Sequence, residues 1–186
     1  MKRILVLVSC LALVTAAFTG CRQGYRRPEV PVREPAADTE ATYRTNRLMI
    51  RKNAESIRNE SARRGWNLTE TGTGVFFQIL RTSVPGRSEL IKPGDRVTLS
   101  YTLDLLDGTR CYSSESEGPK RFVVEKSEAE QGLHETLQLL HEGDSALVVI
   151  PPQKAFGLAG DGNKIPPQSV LVYHFRVDSV ERKSGK

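Results

Sequence analysis

The stretch Ala155–Pro167, AFGLAGDGNKIPP, carries the residue types for phosphate chemistry: glycines at 157, 160 and 162 and a lysine at 164. A phosphate loop has the pattern GxxxxGK followed by Ser or Thr. It joins a strand to a helix, so that helical N–H groups meet the anion. Gly157 and Gly162 have the required separation, but Asn163 and Lys164 follow them, and Pro166–Pro167 lead into a strand. A nucleotide cradle is therefore rejected. HETLQ at 134–138 approaches the zinc-protease motif HExxH, but its second ligand position is Gln138, so it reads as solvated helix rim. His134, His141 and His174 have no metal-ligand spacing, and no metal site or cofactor is expected. Sequence order alone supports no Ser-His-Asp set. Cys111 reads as a small buried filler rather than a reactive thiol. Glu115, Glu117, Glu125, Glu128 and Glu130 read as a solvated acidic rim.

These residues sit among elements with a period of two. RVTLSYTLDL at 96–105 alternates strictly, with Val97, Leu99, Tyr101, Leu103 and Leu105 on one face. That pattern predicts a half-buried antiparallel strand. SVLVYHFRVDSV at 169–180 repeats it with Leu171, Tyr173, Phe175 and Val177, and GVFFQIL, RFVVEK and SALVVI are shorter strands. Asp107–Gly108 marks a turn. One helix interrupts the strands: QGLHETLQLLHEGD puts Leu133, Leu137 and Leu140 on one face, and Gly143 is expected to end it. The fold class is α+β, with mostly strands and one helix against the sheet, over residues 66–186.

The first 65 residues are organised differently. MKR followed by an apolar run of about 15 residues and TGC has the layout of a secretory signal. The run is short for a spanning helix, which needs roughly 20 apolar residues. FTGC resembles a lipobox, which would make 1–20 the signal and Cys21 the lipidated residue of a membrane-anchored protein. Phe18 stands where a lipobox usually has Leu. Once Cys10 leaves with the signal and Cys21 carries lipid, Cys111 is the remaining thiol, and no intrachain disulfide can form. Residues 21–37 carry three prolines and no apolar period, and read as an extended tether. Residues 38–65 read as a helix capped by Asp38 or Thr39 and closed by Gly65, with a thin stripe of Tyr43, Ile50, Ala54 and Ile57. Such a helix needs a partner: its own domain, a second copy in a homodimer, or another protein.

Charge follows the same division. Residues 1–65 carry 13 basic and 6 acidic side chains, and residues 66–186 carry 14 basic and 16 acidic ones. The basic excess belongs to the segments near an anionic membrane surface. The folded region is slightly acidic, which excludes nucleic acid as a partner.

Taken in order, the strand ending in DG, the F-V-V strand, the helix after Gly132, EGD, PPQKAFG, the glycine-rich loop and IPPQSVLVYHFRV resemble the FKBP-type peptidyl-prolyl cis-trans isomerases over about residues 72–181. The resemblance implies a curved antiparallel sheet wrapped around one short helix, with the glycine-rich loop as a flap over a proline pocket. It also implies a chemistry without nucleophile or cofactor. Rotation about an Xaa-Pro bond meets a barrier of about 18–20 kcal/mol because the amide is partly double-bonded. A dry aromatic pocket that favours the twisted amide over the planar one lowers that barrier.

Carried over by position, the resemblance makes Tyr101, Phe122, Ile165 and Tyr173 pocket walls and Leu133 its floor. It gives the substrate-binding backbone N–H to Glu130, with a charged side chain at the rim. Tyr173 replaces a Phe and Phe156 the tyrosine of AYG. Cys111 replaces an aromatic wall, Tyr112 an acid that accepts hydrogen bonds in the pocket, and Lys120 a second aromatic. Together these departures predict a weakened or altered isomerase.

The leading expectation is a lipid-anchored isomerase at the periplasmic face of the outer membrane, acting on Xaa-Pro segments of exported proteins. Gln23, rather than Asp, at the second place after Cys21 favours that membrane. The alternatives are a non-catalytic FKBP-like chaperone and a structural subunit of an envelope complex. The last is prompted by a resemblance to the FKBP-like lipoproteins of gliding motility in Bacteroidetes-type bacteria.

Overall fold

The computed structural model describes residues 37–83, 89–126 and 129–183. The expected signal, Cys21, most of the tether and Glu128 lie outside the described residues. In order, the elements are helix α1 (Ala37–Arg64), strands β1 (Thr69–Glu70), β2 (Phe76–Arg81), β3 (Arg96–Leu105) and β4 (Arg110–Ser113), and helix α2 (Ser114–Glu117). Strand β5 (Lys120–Val123), helix α3 (Gln131–Leu137), β6 (Ser145–Ile150), a 3-10 turn (Pro152–Lys154) and β7 (Leu171–Glu181) complete the chain.

All strand pairs are antiparallel, in the order β1-β2-β6-β7-β3-β4, with β5 also on β3. The longest register is β3 with β7, where Tyr101 faces Phe175 and Leu103 faces Tyr173. The other edge of β3 is shared: its residues 96–99 pair with β5, and 102–104 pair with β4. The gap between falls at Tyr101, whose N–H donates instead to Ser114 Oγ at 3.1 Å. A hydroxyl thus satisfies the backbone group that the strand exchange leaves over.

The alternation read from sequence separates two apolar layers. On the inner side of the sheet, Val97, Leu99, Leu103, Val148, Ile150, Leu171, Tyr173 and Val177 pack with Leu133 and Leu137 of α3. Gly132 lets that helix come close, since a Cβ there would lie 2.5 Å from Ile150 Cγ2. On the other side, Phe76, Leu147, Val149 and Val172 pack with Ile57 of α1. From Asp38 onward helix and sheet form one compact unit.

Three expectations need correction. Helix α1 is described from Ala37, so Asp38 and Thr39 fall at helical positions rather than at the N-cap. Its stripe is used only near the end: Ile57 is fully buried, while Tyr43, Leu48 and Ile50 are exposed. Gly65, at φ +67°, closes the helix as expected. Helix α3 ends at Leu137, well before Gly143. The chain tightens there into i→i−3 turns, with Leu139 N–H donating to the Thr136 carbonyl and Leu140 N–H to that of Leu137. This still delivers Leu140 to the core.

Candidate functional site

The inner face of β3, β5 and β7, the start of α3 and the loop 155–167 converge on one set of side chains. Tyr101, from β3, lies 6.0 Å from the Tyr173 ring of β7 at an interplanar angle of 43°. Phe122, from β5, is buried and meets His134 edge-on at 5.2 Å. Leu133 is fully buried, and Ile165 brings the far end of the loop into the same cluster. Burial raises the Tyr101 hydroxyl above its ordinary pKa, and the charges of Glu117 and Glu130 add to this. Phe156, expected among the pocket walls, is not part of this cluster and is 37% exposed.

At the floor the structure overturns the reading of Glu130 as a solvated rim acid. Its side chain is 3% exposed. Lys120 Nζ donates to Glu130 Oε2 at 2.8 Å and to Tyr173 Oη at 3.1 Å. The Tyr173 hydroxyl donates to Glu130 Oε1 at 2.7 Å. Burial, then the charge and acceptance of Glu130, hold the Tyr173 phenol well above the ordinary range. A buried carboxylate without partners would be costly, and here the ammonium and the phenol both serve it. The hydroxyl that distinguishes Tyr173 from a phenylalanine is one link, and Lys120 is another. Glu130 also sits at the N-cap of α3, its carbonyl accepting from Leu133 and His134, and its N–H has no partner among the described residues.

Sequence alternation carried a signal for this network. Lys120 shares the phase of Phe122 and Val124 and so faces inward, and Tyr173 shares that of Leu171 and Phe175. Two polar groups facing one core require a third to neutralise them. HETLQ needs a correction too. His134 is buried, its Nδ1 accepting from the Glu125 N–H at 3.1 Å. Glu135 pairs with Lys154 at 2.8 Å. No cluster of three or more metal-ligating side chains occurs among the described residues.

Cys111 and Tyr112 of β4 both meet the loop 155–167. Cys111 is buried as expected, with Sγ 3.4 Å from the Lys164 carbonyl. Burial, with the Asp161 charge, raises its thiol pKa and makes it a poor nucleophile. Tyr112 Oη donates to Asp161 Oδ2 at 2.5 Å. Asp161 went unremarked in the sequence, although Asp-Gly-Asn is a strong turn signal. Of the other expected rim acids, Glu115, Glu117 and Glu125 are exposed. The aromatic cluster on the inner face of the sheet, with the loop 155–167 joined to it at Ile165, defines an α+β protein.

Comparison with known proteins places this fold. Residues 87–178 match the family model of the FKBP-type peptidyl-prolyl cis-trans isomerases. The chain is 31% identical to the FKBP-type 22 kDa peptidyl-prolyl cis-trans isomerase of Escherichia coli K12, covering 84% of this chain and 76% of that protein. It is also 31% identical to a probable FKBP-type peptidyl-prolyl cis-trans isomerase of Haemophilus influenzae, covering 73% of this chain but 54% of that protein, so it spans about half that relative's length. The crystal structure of FkpA from Escherichia coli is similar with a TM-score of 0.57 at 27% identity, covering 76% of this chain and 68% of that one. The chain belongs to the FKBP-type peptidyl-prolyl cis-trans isomerase family.

Proposed function

We propose that this protein catalyses cis–trans isomerisation of Xaa-Pro bonds in exported proteins, working from the cell envelope. The convergence of Tyr101, Phe122, Leu133, Ile165 and Tyr173 beneath one loop carries this reading. Aromatic and aliphatic walls exclude water from a bound amide. A twisted Xaa-Pro amide has lost resonance, is less polar and tolerates that environment better than the planar form. The Glu130 N–H, left over at the start of α3, is placed to hold a carbonyl next to the proline. The reaction makes and breaks no covalent bond, so the site needs neither nucleophile nor metal.

The envelope assignment rests on the basic and apolar start of the chain and on the TGC at 19–21. A further relative, 37% identical over 119 residues, is the outer membrane protein MIP of Legionella longbeachae. Lipid attached at Cys21 would anchor the protein, and the periplasmic face of the outer membrane suits such a client supply.

A second reading is a proline-binding holdase without turnover. The Lys120–Glu130–Tyr173 network favours it, because an ion pair at the floor makes the pocket more polar than a purely apolar cup. Exchange spectroscopy of Leu-Pro, Phe-Pro and Glu-Pro peptides with the purified chain separates the two. Catalysed cis–trans exchange above the uncatalysed rate supports the isomerase. Peptide binding without accelerated exchange supports the holdase.

A further inference from the structure

The pair Cys111–Tyr112 departs from the family pattern, and the pocket chemistry leaves Tyr112 without a task. Its surroundings supply one. Tyr112 reaches from β4 into the loop 155–167, where its hydroxyl donates to Asp161 Oδ2 at 2.5 Å and accepts from Asn163 Nδ2 at 3.1 Å. Lys164 Nζ lies 4.7 Å from the centre of its ring. The other Asp161 oxygen accepts from the Asn163 N–H at 2.9 Å and the Ile165 N–H at 2.8 Å. The carboxylate therefore joins Tyr112 to the backbone of Ile165, the residue that closes the pocket wall.

The loop is built to hold this shape. Gly160, at φ +72°, turns the chain so closely that a Cβ there would lie 2.2 Å from the Ile165 carbonyl oxygen. Asp161 N–H donates to that same carbonyl at 3.1 Å. Beside Tyr112, the Cys111 thiol meets the Lys164 carbonyl. Two adjacent residues of β4 thus touch the loop at Asp161, Asn163 and Lys164, next to Ile165, which is 2% exposed in the core cluster.

We propose that Tyr112 is a positioning residue: through Asp161 it clamps the loop over the pocket and sets where Ile165 stands. The proposal rests on the isomerase reading for its catalytic consequence, but not for the clamp itself. A charge-assisted phenol–carboxylate bond is stronger than a neutral one and depends on direction, so it selects one loop position among several. In this arrangement an aspartate at 112 gains nothing. It is too short to hold the loop, and it adds a second anion near Asp161.

The test uses Tyr112→Phe, Asp161→Asn and their combination in the full chain. Two readouts run in parallel: alkylation of Cys111 followed site by site by mass spectrometry, and peptide exchange rates. Tyr112→Phe is expected to speed Cys111 alkylation about tenfold, as the loop lifts from the thiol, and to raise KM at least threefold with kcat changed less. The combined variant should match the more affected single variant, because both remove one link. Tyr112→Asp should also be loosened and less active. Unchanged alkylation in Tyr112→Phe, or multiplicative effects in the combined variant, would overturn the clamp. A wild type without catalysed exchange, together with faster alkylation in Tyr112→Phe, would sink the isomerase reading and leave the clamp standing.

Discussion

The Lys120–Glu130–Tyr173 network and the Tyr112–Asp161 contact in the loop 155–167 hold their polar groups in opposite ways. At the floor, Lys120, Glu130 and Tyr173 come from β5, the start of α3 and β7, and they satisfy one another with Glu130 almost out of water. In the loop, Tyr112 and Asp161 also satisfy each other, but beside the exposed residues Asn163 and Lys164. Burial makes the difference. A buried network is strong when complete and costly when any member is missing. A half-exposed one can open and let water take over its bonds. Breaking the buried network should therefore cost more than breaking the half-exposed one.

The largest effect should follow from cutting the floor. Lys120→Met leaves the Glu130 carboxylate with one donor. Losing one member of a buried pair costs about 3–5 kcal/mol. Water reaching Lys120, whose side chain is 25% exposed, places this case near the lower end. Chemical denaturation should therefore show a loss of about 3 kcal/mol. The combination Lys120→Met, Glu130→Val, Tyr173→Phe should recover most of it, because apolar replacement of a whole network is close to neutral. If the single variant loses less than about 1 kcal/mol, the floor is solvated like a surface pair and the contrast with the loop disappears.

The sheet was largely legible before the structure, because Val97, Leu99, Tyr101, Leu103 and Leu105 alternate without interruption and the pleat allows them one inner face. The ends of α1 and α3 were not. Their boundaries depend on tertiary contacts, such as the packing of Leu140, that local propensity does not encode. Tyr101, Phe122, Leu133, Ile165 and Tyr173 share one apolar cluster, and their period-two and helical phases made that much legible. Glu130 was misread because a lone glutamate is usually exposed, and only its distant partners Lys120 and Tyr173 make burial tolerable. Asp161 was missed for a similar reason: its partner Tyr112 lies 49 residues away in sequence.

A smaller loss is expected from Tyr173→Phe. It removes one hydroxyl and leaves Lys120 on Glu130, so the stability cost should be about 1–2 kcal/mol. Denaturation combined with peptide exchange distinguishes two roles for that hydroxyl. Lower stability with an unchanged exchange rate assigns it to the floor alone. A lower exchange rate at full stability would show that it acts on substrate.

The acid end of the pH scale should separate the two regions. Burial alone would raise the Asp161 carboxyl, but the hydrogen bond from Tyr112 and those from the Asn163 and Ile165 N–H groups outweigh it and hold it below its ordinary value. A depressed carboxylate stabilises above its unfolded pKa, about 3.9, and that contribution is lost as the pH falls through the lower folded value. Hydrogen exchange at the Asn163 and Ile165 amides should lose protection below about pH 4. Tyr173 has the reverse sign. Its raised phenol stabilises the fold below its unfolded pKa, about 10, and that contribution declines as the pH rises through the higher folded value. Global stability should fall at alkaline pH, and the Tyr112 phenol, also raised by its bond to Asp161 and by burial, gives up the loop bond in the same direction, so the acid limb is the one that isolates the loop. Asp95 and Asp144 are also held low by hydrogen bonds that outweigh their burial, so global acid unfolding is shared among carboxylates. The local amides are needed to isolate Asp161.

The smallest effect should come from the exposed charge beside the loop. Glu117 lies 3.8 Å from Lys164, both about half exposed, and such a pair is worth about 0–1 kcal/mol. Glu117→Gln should leave stability within about 0.5 kcal/mol of the wild type. It should change Cys111 alkylation less than twofold, against about tenfold for Tyr112→Phe, a tenfold change being worth about 1.4 kcal/mol. The charge is solvated on both sides and screened by salt, whereas the phenol reaches a carboxylate that also holds the Ile165 backbone. If Glu117→Gln loosens the loop as much as Tyr112→Phe does, surface attraction between Lys164 and the acidic rim holds the loop down. Added salt should then loosen the wild type to the same extent, and the strength attributed to the directed bond would have to be reassigned to charge.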